Sequence, residues 1–414
     1  MDGYKKITRF VLSVGIALSS VSTLMADDYN DDAVLVFPGR DTVHGAKEPV
    51  LLDELLSPES LPEAIRAEPI STESVDFLQE SDDDHYGYGG HGGLKHGRAD
   101  AHAPAGLSGA HVHRCGEWMF EYKYAHMFMD GNRFGRQRVT DVQALDVTGT
   151  AFAATPTRMT MDMHMLHIMY GWNDDVTLYI MPMLMSLSMD HLRRNPLMGD
   201  PDFTARNSGF GDLIFGGLWR VWDSEVDEVI FNFGMRAPTG DIDALTAAAS
   251  NGMMAPTVFP YPMRLGTGTF NFRPGVTYRR YWECASIGVQ FLADVPVGQS
   301  SRGYAVGNDF RLNFWYSRLL DPCKRWAFSY RVEAAWLGNY TGFDPALGAN
   351  NTVISTARTD MRGGDSINFG YGLTWMFAPK TRLKCELMHP VYQDFDGVQL
   401  ETDLQLWTSL SKAF

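Results

Sequence analysis

From Cys115 to the end of the chain, large apolar residues recur at every second position. Trp118, Phe120, Tyr122, Tyr124 and Phe128 share one side of a first segment, with Glu121 and Lys123 on the other. Residues 309–317 set Phe310, Leu312, Phe314 and Tyr316 against Asp309, Arg311, Asn313 and Ser317. Residues 326–336 set Trp326, Phe328, Tyr330, Val332, Ala334 and Trp336 against Ser329, Arg331 and Glu333. Residues 366–377 set Ile367, Phe369, Tyr371, Leu373, Trp375 and Phe377 against Ser366, Asn368, Gly370 and Thr374. A period of two is the signature of strands, whose side chains alternate between faces. The segments run about 10 to 15 residues, longer than the ordinary five or six, and short turns alternate with long connections. Counting them predicts an all-β fold, a transmembrane antiparallel up-and-down β-barrel of about 12 strands, apolar side to lipid and polar side to the lumen.

The strand centres fall near residues 122, 164, 182, 215, 233, 273, 289, 314, 331, 370, 386 and 407. Short turns are expected at Asn173-Asp174, Trp222–Asp227, Tyr281–Glu283, Leu320–Lys324 and Ala378-Pro379-Lys380, on the periplasmic side. Long extracellular loops are expected at 130–157, 190–207, 237–265, 299–307, 340–362 and 392–399. The last strand ends on the aromatic Phe414, a tail for the barrel-assembly machinery, and Lys412 stands on its lipid side, where a lysine can snorkel.

Before the barrel the pattern is different in kind. Residues 1–26 read as a signal peptide: Lys5, Lys6 and Arg9, then an apolar stretch, then Leu24-Met25-Ala26. Residues 27–84 form an acidic, Pro-containing flexible segment with about 17 acidic residues against Arg40, Lys47 and Arg66, which accounts for most of the net charge of -15. An acidic chain does not suit nucleic-acid binding, which requires basic surface. Residues 85–114 read as a Gly/His-rich linker, and 115–414 as the barrel. The N-terminal extension cannot bury much apolar surface, so it is expected to be largely disordered and periplasmic. Hydrophobic residues make up 45% of the chain, yet mean hydropathy is -0.19, and past residue 30 no apolar run is long enough for a membrane helix.

Candidate chemistry follows from the register. Charged groups belong in the lumen, which assigns Glu121, Lys123, Asp162, His164, Asp212, Arg220, Arg236, Arg273, Arg279, Asp309, Arg311, Arg331, Glu333, Lys384, Glu386 and Asp403 to it. The chain holds 22 methionines, with Met159, Met161, Met163, Met165 and Met169 on one face of the second strand and Met181, Met183, Met185 and Met189 along the third. Thioether ladders suit Cu(I). Placing Asp162 and His164 in the lumen, however, turns the second strand's methionines to lipid as ordinary apolar side chains. His85, His91, His96, His102, His111 and His113 are a candidate Cu or Zn set, with no other cofactor implied. Cys284 and Cys323 lie on turns of one rim, neighbours across one hairpin, and are expected to form a disulfide in an oxidising periplasm. Cys385, between Leu383 and Leu387, points to lipid. No serine elbow, HExxH or phosphate loop is present, so no enzyme is expected.

Residues 115–414 resemble a family of Gram-negative outer-membrane proteins labelled as transporters and grouped with barrels of the meta-pathway of phenol degradation. The resemblance rests on Phe128-Met129-Asp130-Gly131-Asn132-Arg133, on 158–166 (RMTMDMHML), on Ser208-Gly209-Phe210-Gly211-Asp212-Leu213, on 237–243 (APTGDID), on 259–269 (FPYPMRLGTGT) and on 390–403 (PVYQDFDGVQLETD). It implies an outer-membrane barrel with a transport role and no assigned binding residues. The expected function is therefore an outer-membrane channel for small solutes, hydrophobic aromatics or metal ions. The alternative is a non-conducting barrel that anchors a metal-binding or structural periplasmic segment.

Overall fold

The computed structural model describes residues 97–147, 149, 151–194, 202–246, 257–348, 350 and 354–414. The expected signal peptide, the acidic segment and His85, His91 and His96 lie outside the described residues. Ten passes are read in order. β1 is Trp118–Gly135 and β2 Ala154–Gly171. β3 runs as Val176–Met181 and Met183–Arg193, parted at Pro182, which has no N–H to donate to a ladder. β4 runs as Asp202–Phe210 and Leu213–Asp223, parted at Gly211-Asp212. β5 is Asp227–Ala237, β6 Phe270–Tyr281 and β7 Ala285–Val297. β8 is Asp309–Leu319, β9 Trp326–Leu337 and β10 Gly364–Ala378.

The last element, Thr381–Ala413, folds back on itself at Asp396-Gly397, where Gly397 has φ 96°. Residues 381–395 (β11) pair with β10 and residues 398–413 (β12) with β1, both antiparallel. The Gln393 side chain spans the two arms, donating to the Thr402 carbonyl and accepting from its N–H at 3.1 and 3.0 Å. Since every other strand pairs antiparallel with its neighbour in the chain, the β1–β12 ladder closes a barrel of twelve strands. Twelve is also the number of alternating segments in the sequence. The expected long loop at 392–399 is instead a two-residue turn, because the ladder carries on through Tyr392 and Gln393 to Phe395.

Short connections at 172–175, 224–226, 282–284, 320–325 and 379–380 gather at one end, the turn rim, where Trp118 and Ala413 also lie. The strand ends that flank 136–153, 194–201, 238–269, 298–308 and 338–363 lie at the other, the loop rim. Outside, the wall shows Phe120, Tyr122, Trp219, Phe231, Phe233, Phe272, Tyr330, Leu373 and Trp375, the apolar band of a membrane barrel. None of the described helices is long and apolar enough to cross a membrane. All four cysteines are free and exposed, so the expected Cys284–Cys323 disulfide is absent. The Cys284 carbonyl is tied to the strand edge by the Leu319 N–H at 2.9 Å, whereas Cys323 stands out on the 320–325 turn.

Candidate functional site

The lumen of this barrel is occupied by the chain that precedes it. Residues 98–113, the end of the expected flexible linker, form a hairpin pushed in from the turn rim. Its entry is fixed where the Ala99 N–H donates to the Lys324 carbonyl at 3.0 Å, and its exit where the Gly116 N–H donates to Gly171 at 2.8 Å. Such a segment cannot build a core of its own, but here the barrel supplies one: Ala103, Leu107 and Ala110 pack against the inward Trp315. Two glycines shape the tip. Gly109 takes φ 70°, a left-handed turn, and a Cβ on Gly106 would come within 2.6 Å of the Arg331 guanidinium.

Inward side chains of the wall bind the hairpin mainly through its backbone. Lys123 Nζ donates to the Leu107 carbonyl at 2.5 Å and to Ser108 Oγ at 2.8 Å. Arg279 donates to the Ala110 carbonyl at 2.6 Å and also to that of Ala101. Gln290 donates to Ser108 at 2.9 Å, Ser286 to Asp100, and the Gly106 N–H donates to Glu386 at 2.7 Å. These wall charges are paired, as buried charges must be. Glu121 meets Lys384 at 3.0 Å and Lys123 at 3.5 Å, Arg331 meets Glu386 at 2.9 Å, and Arg279 meets Glu228 at 3.2 Å.

Beyond the hairpin tip lies a cavity of about 490 Å³. Its floor is Gly106–Gly109. One wall carries Met127, Met161, Met163, Met165, Met181, Met183 and Met185, and the facing wall is charged. There Arg236 and Arg273 meet Asp294 at 2.5 and 3.0 Å, and Arg311 meets Asp309 at 2.9 Å and Glu333 at 3.6 Å. The roof is a cap of folded loops. Phe259, Met263 and Leu265 pack onto Met159, Leu187 and Met189, and Val258, Tyr261, Tyr304 and Leu347 form a second cluster. Arg264 pairs with Asp344 at 2.7 Å and sits 5.0 and 4.9 Å from the Tyr261 and Tyr304 ring centres. Burial pushes the Tyr304 hydroxyl up to about 12. Asp212 anchors the cap, accepting from the Gly240 N–H at 3.0 Å and from the Thr267 N–H and hydroxyl at 2.8 Å.

Of the residues assigned to the lumen from the sequence, Glu121, Lys123, Arg279, Arg331, Glu333, Lys384 and Glu386 are buried inside, and Arg236, Arg273, Asp309 and Arg311 line the cavity. Asp212 holds the cap. Arg220 stays at the turn rim with Asp175 at 3.1 Å, and Asp403 at the loop rim with Arg138 at 3.5 Å.

Asp162 and His164 are the correction. The β1–β2 register sets Glu121 opposite His167, Lys123 opposite Met165 and Met127 opposite Met161, all inward, and so His126 opposite Asp162 and Tyr124 opposite His164, both outward. On the outer wall the Tyr124 hydroxyl donates to Asp162 at 2.6 Å, His126 Nδ1 lies 2.8 Å from the same oxygen, and Tyr122 meets His164 at 2.7 Å. This mutual satisfaction lets polar groups stand outside. The consequence for the methionines is complete. Met119, Met127, Met129, Met159, Met161, Met163, Met165, Met169, Met181, Met183, Met185 and Met189 are all on the inward register of β1–β3.

His102, His111 and His113 are brought together in the hairpin, ring centres 5.4 and 4.9 Å apart, with His102 against Arg382. Among the described residues no group of three or more His, Cys, Asp or Glu side chains is arranged to hold a metal ion. Sequence reasoning missed Glu228, Gln290, Asp294 and Arg382. Glu228 and Gln290 were within its reach, since both follow the inward alternation of strands it had already located.

Residues 131–384, more than half of the chain, match the family model described as "Putative MetA-pathway of phenol degradation". No curated protein matches. Among solved structures, an outer membrane channel from Pseudomonas putida F1 is 15% identical over 73% of this chain and 97% of its own, with a TM-score of 0.49. The NanC porin is 8% identical over 71% and 98%, TM-score 0.33. A Pseudomonas aeruginosa FadL homologue is 10% identical over 72% and 89%, TM-score 0.32. At such values the likeness says nothing about function, and the barrel stands on its strand pairing.

Proposed function

The chain belongs to this family, and from that premise we propose that it is an outer-membrane channel for small solutes whose lumen is closed by its own N-terminal hairpin. The observation that carries the reading is the cavity of about 490 Å³ held between two closures, the hairpin below and the loop cap above. One wall of it is apolar and the other charged, which suits a small amphipathic solute better than a bulky polymer. The hairpin is the movable closure, because it is bound by hydrogen bonds to its backbone and contributes few large side chains. The barrel sits in the outer membrane with residues 27–96 on the periplasmic side, where the turn rim lies. It is assembled there through the terminal strand ending on Phe414, with lipid around its aromatic band.

Planar-bilayer conductance tests the reading. The full protein is expected to give brief, rare openings, and a variant lacking residues 97–113 to conduct steadily. Silence from both folded proteins, together with no solute entry into liposomes, would leave only a barrel that anchors the N-terminal segment.

A further inference from the structure

On β1–β3 the methionines are segregated. Every one is inside, while the outer apolar positions of the same strands hold Leu166, Ile168, Leu178, Ile180 and Leu184. Burial of apolar area does not account for this, because leucine is as hydrophobic and better ordered. What methionine adds is a thioether, and on this wall the methionine side chains line a cavity.

Four of them are paired across the β2–β3 ladder. Met165 is the direct cross-strand partner of Met183, and Met163 of Met185, an arrangement that brings Cβ atoms on one face to about 4.5–5.5 Å. A Cβ built on Gly211, the break in β4, would meet Met185 Sδ at 2.9 Å and Met183 Sδ at 3.3 Å. Both sulfurs therefore converge on one spot and lie at most about 6.2 Å apart, the sum of those two distances. The apolar side chains packed around them are Ala125, Met181, Ile214, Tyr179 and Trp407, and the charged groups Lys123 and Asp212 line the same cavity.

A neutral, soft ligand set selects a soft cation of low charge. Thioethers favour Cu(I), whereas hard ions such as Ca²⁺ and Mg²⁺ need oxygen ligands. A single positive charge is also the least costly to take from water into such a pocket. We propose that Met163, Met165, Met183 and Met185 form a binding site for a soft monovalent metal cation, Cu(I), in the lumen beyond the hairpin tip. The site lies in the proposed conduction path but does not depend on conduction, since metal retention and bilayer current are measured separately.

The test uses the full-length protein in detergent with Ag(I), a redox-inert soft cation, followed by desalting and elemental analysis. Stoichiometric silver is expected, and X-ray absorption of protein loaded with Cu(I) under ascorbate should show a sulfur first shell. Replacing the four methionines by leucine conserves volume and should abolish retention while heat-modifiable gel mobility confirms a folded barrel. Met235→Leu, on the outer wall, should retain silver fully. Where the fourfold variant does not fold, Met183→Leu and Met185→Leu singly should each reduce retention. No silver on the wild type, a first shell of nitrogen or oxygen alone, or undiminished retention in the leucine variants would overturn the site.

Discussion

The two closures of the lumen are built on opposite principles. The cap at the loop rim brings its own apolar clusters, with Phe259, Met263 and Leu265 in one and Tyr261, Tyr304 and Leu347 in the other. It is part of the fold in the ordinary sense. The hairpin at the turn rim brings mostly small residues, with Leu107 seated on Trp315 and Val112 among Met119, Met169, Leu218 and Ile230, and its backbone is gripped by Lys123, Arg279, Gln290 and Glu386. It behaves as a ligand of the barrel that happens to be covalently attached. A closure built into large apolar clusters cannot leave without unfolding them, whereas one with a small apolar footing and many polar grips can leave once the grips are satisfied otherwise.

That contrast predicts separable responses. Arg279→Leu removes the grips on Ala101 and Ala110 and leaves Glu228 without its cation, holding the Tyr281 hydroxyl, and breaking a buried pair in this way costs about 3–5 kcal/mol. Hydrogen exchange should rise across residues 98–113 and stay unchanged across 257–267. Equal acceleration in both would erase the distinction. Asp344→Asn should do the reverse, loosening the cap by about 1.5–3 kcal/mol, the range for a hydrogen bond to a charged group, and leaving hairpin exchange as it was.

The smallest effect concerns the exit of the hairpin. Glu117 is clamped by Lys380 at 3.0 Å and His113 at 3.1 Å. Burial alone would raise its carboxyl, but the hydrogen bonds from His113 and Lys380 prevail and lower it to about 2. A carboxyl held low favours the docked state above its ordinary value near 4.5, and that contribution is lost as pH falls toward 2. Protection at Arg114–Glu117, meaning exchange corrected for its intrinsic pH dependence, should thus be flat at pH 5 and above and fall below about 4.5 in the wild type, and Glu117→Gln should remove that fall.

The strands were legible because alternation is a local property, and the barrel's girdle and short turns could be read from residues such as Trp326 and Phe328 alone. Two things were not. The hairpin was unreadable as structure because Ala103, Leu107 and Ala110 acquire a core only from Trp315, more than 200 positions away. The face of β2 was misjudged because a rule about isolated charges was applied to Asp162, which is not isolated: Tyr124 and His126 come from β1 to meet it. Glu121 and Lys123 point inward, but only the pairing of β1 with β2 connects them to Met165 and His167. A long loop joins those strands, and no turn chemistry fixes their register in advance.

The hairpin enters beside Lys324 and leaves beside Gly171, through the same mouth of the barrel. Topologically it is a tucked loop and not a threaded strand. The loop can be drawn out through the mouth it entered, and the β1–β12 seam need not part. The loop can equally be folded in after the seam has closed, so that sealing the wall and filling it are separate events in assembly.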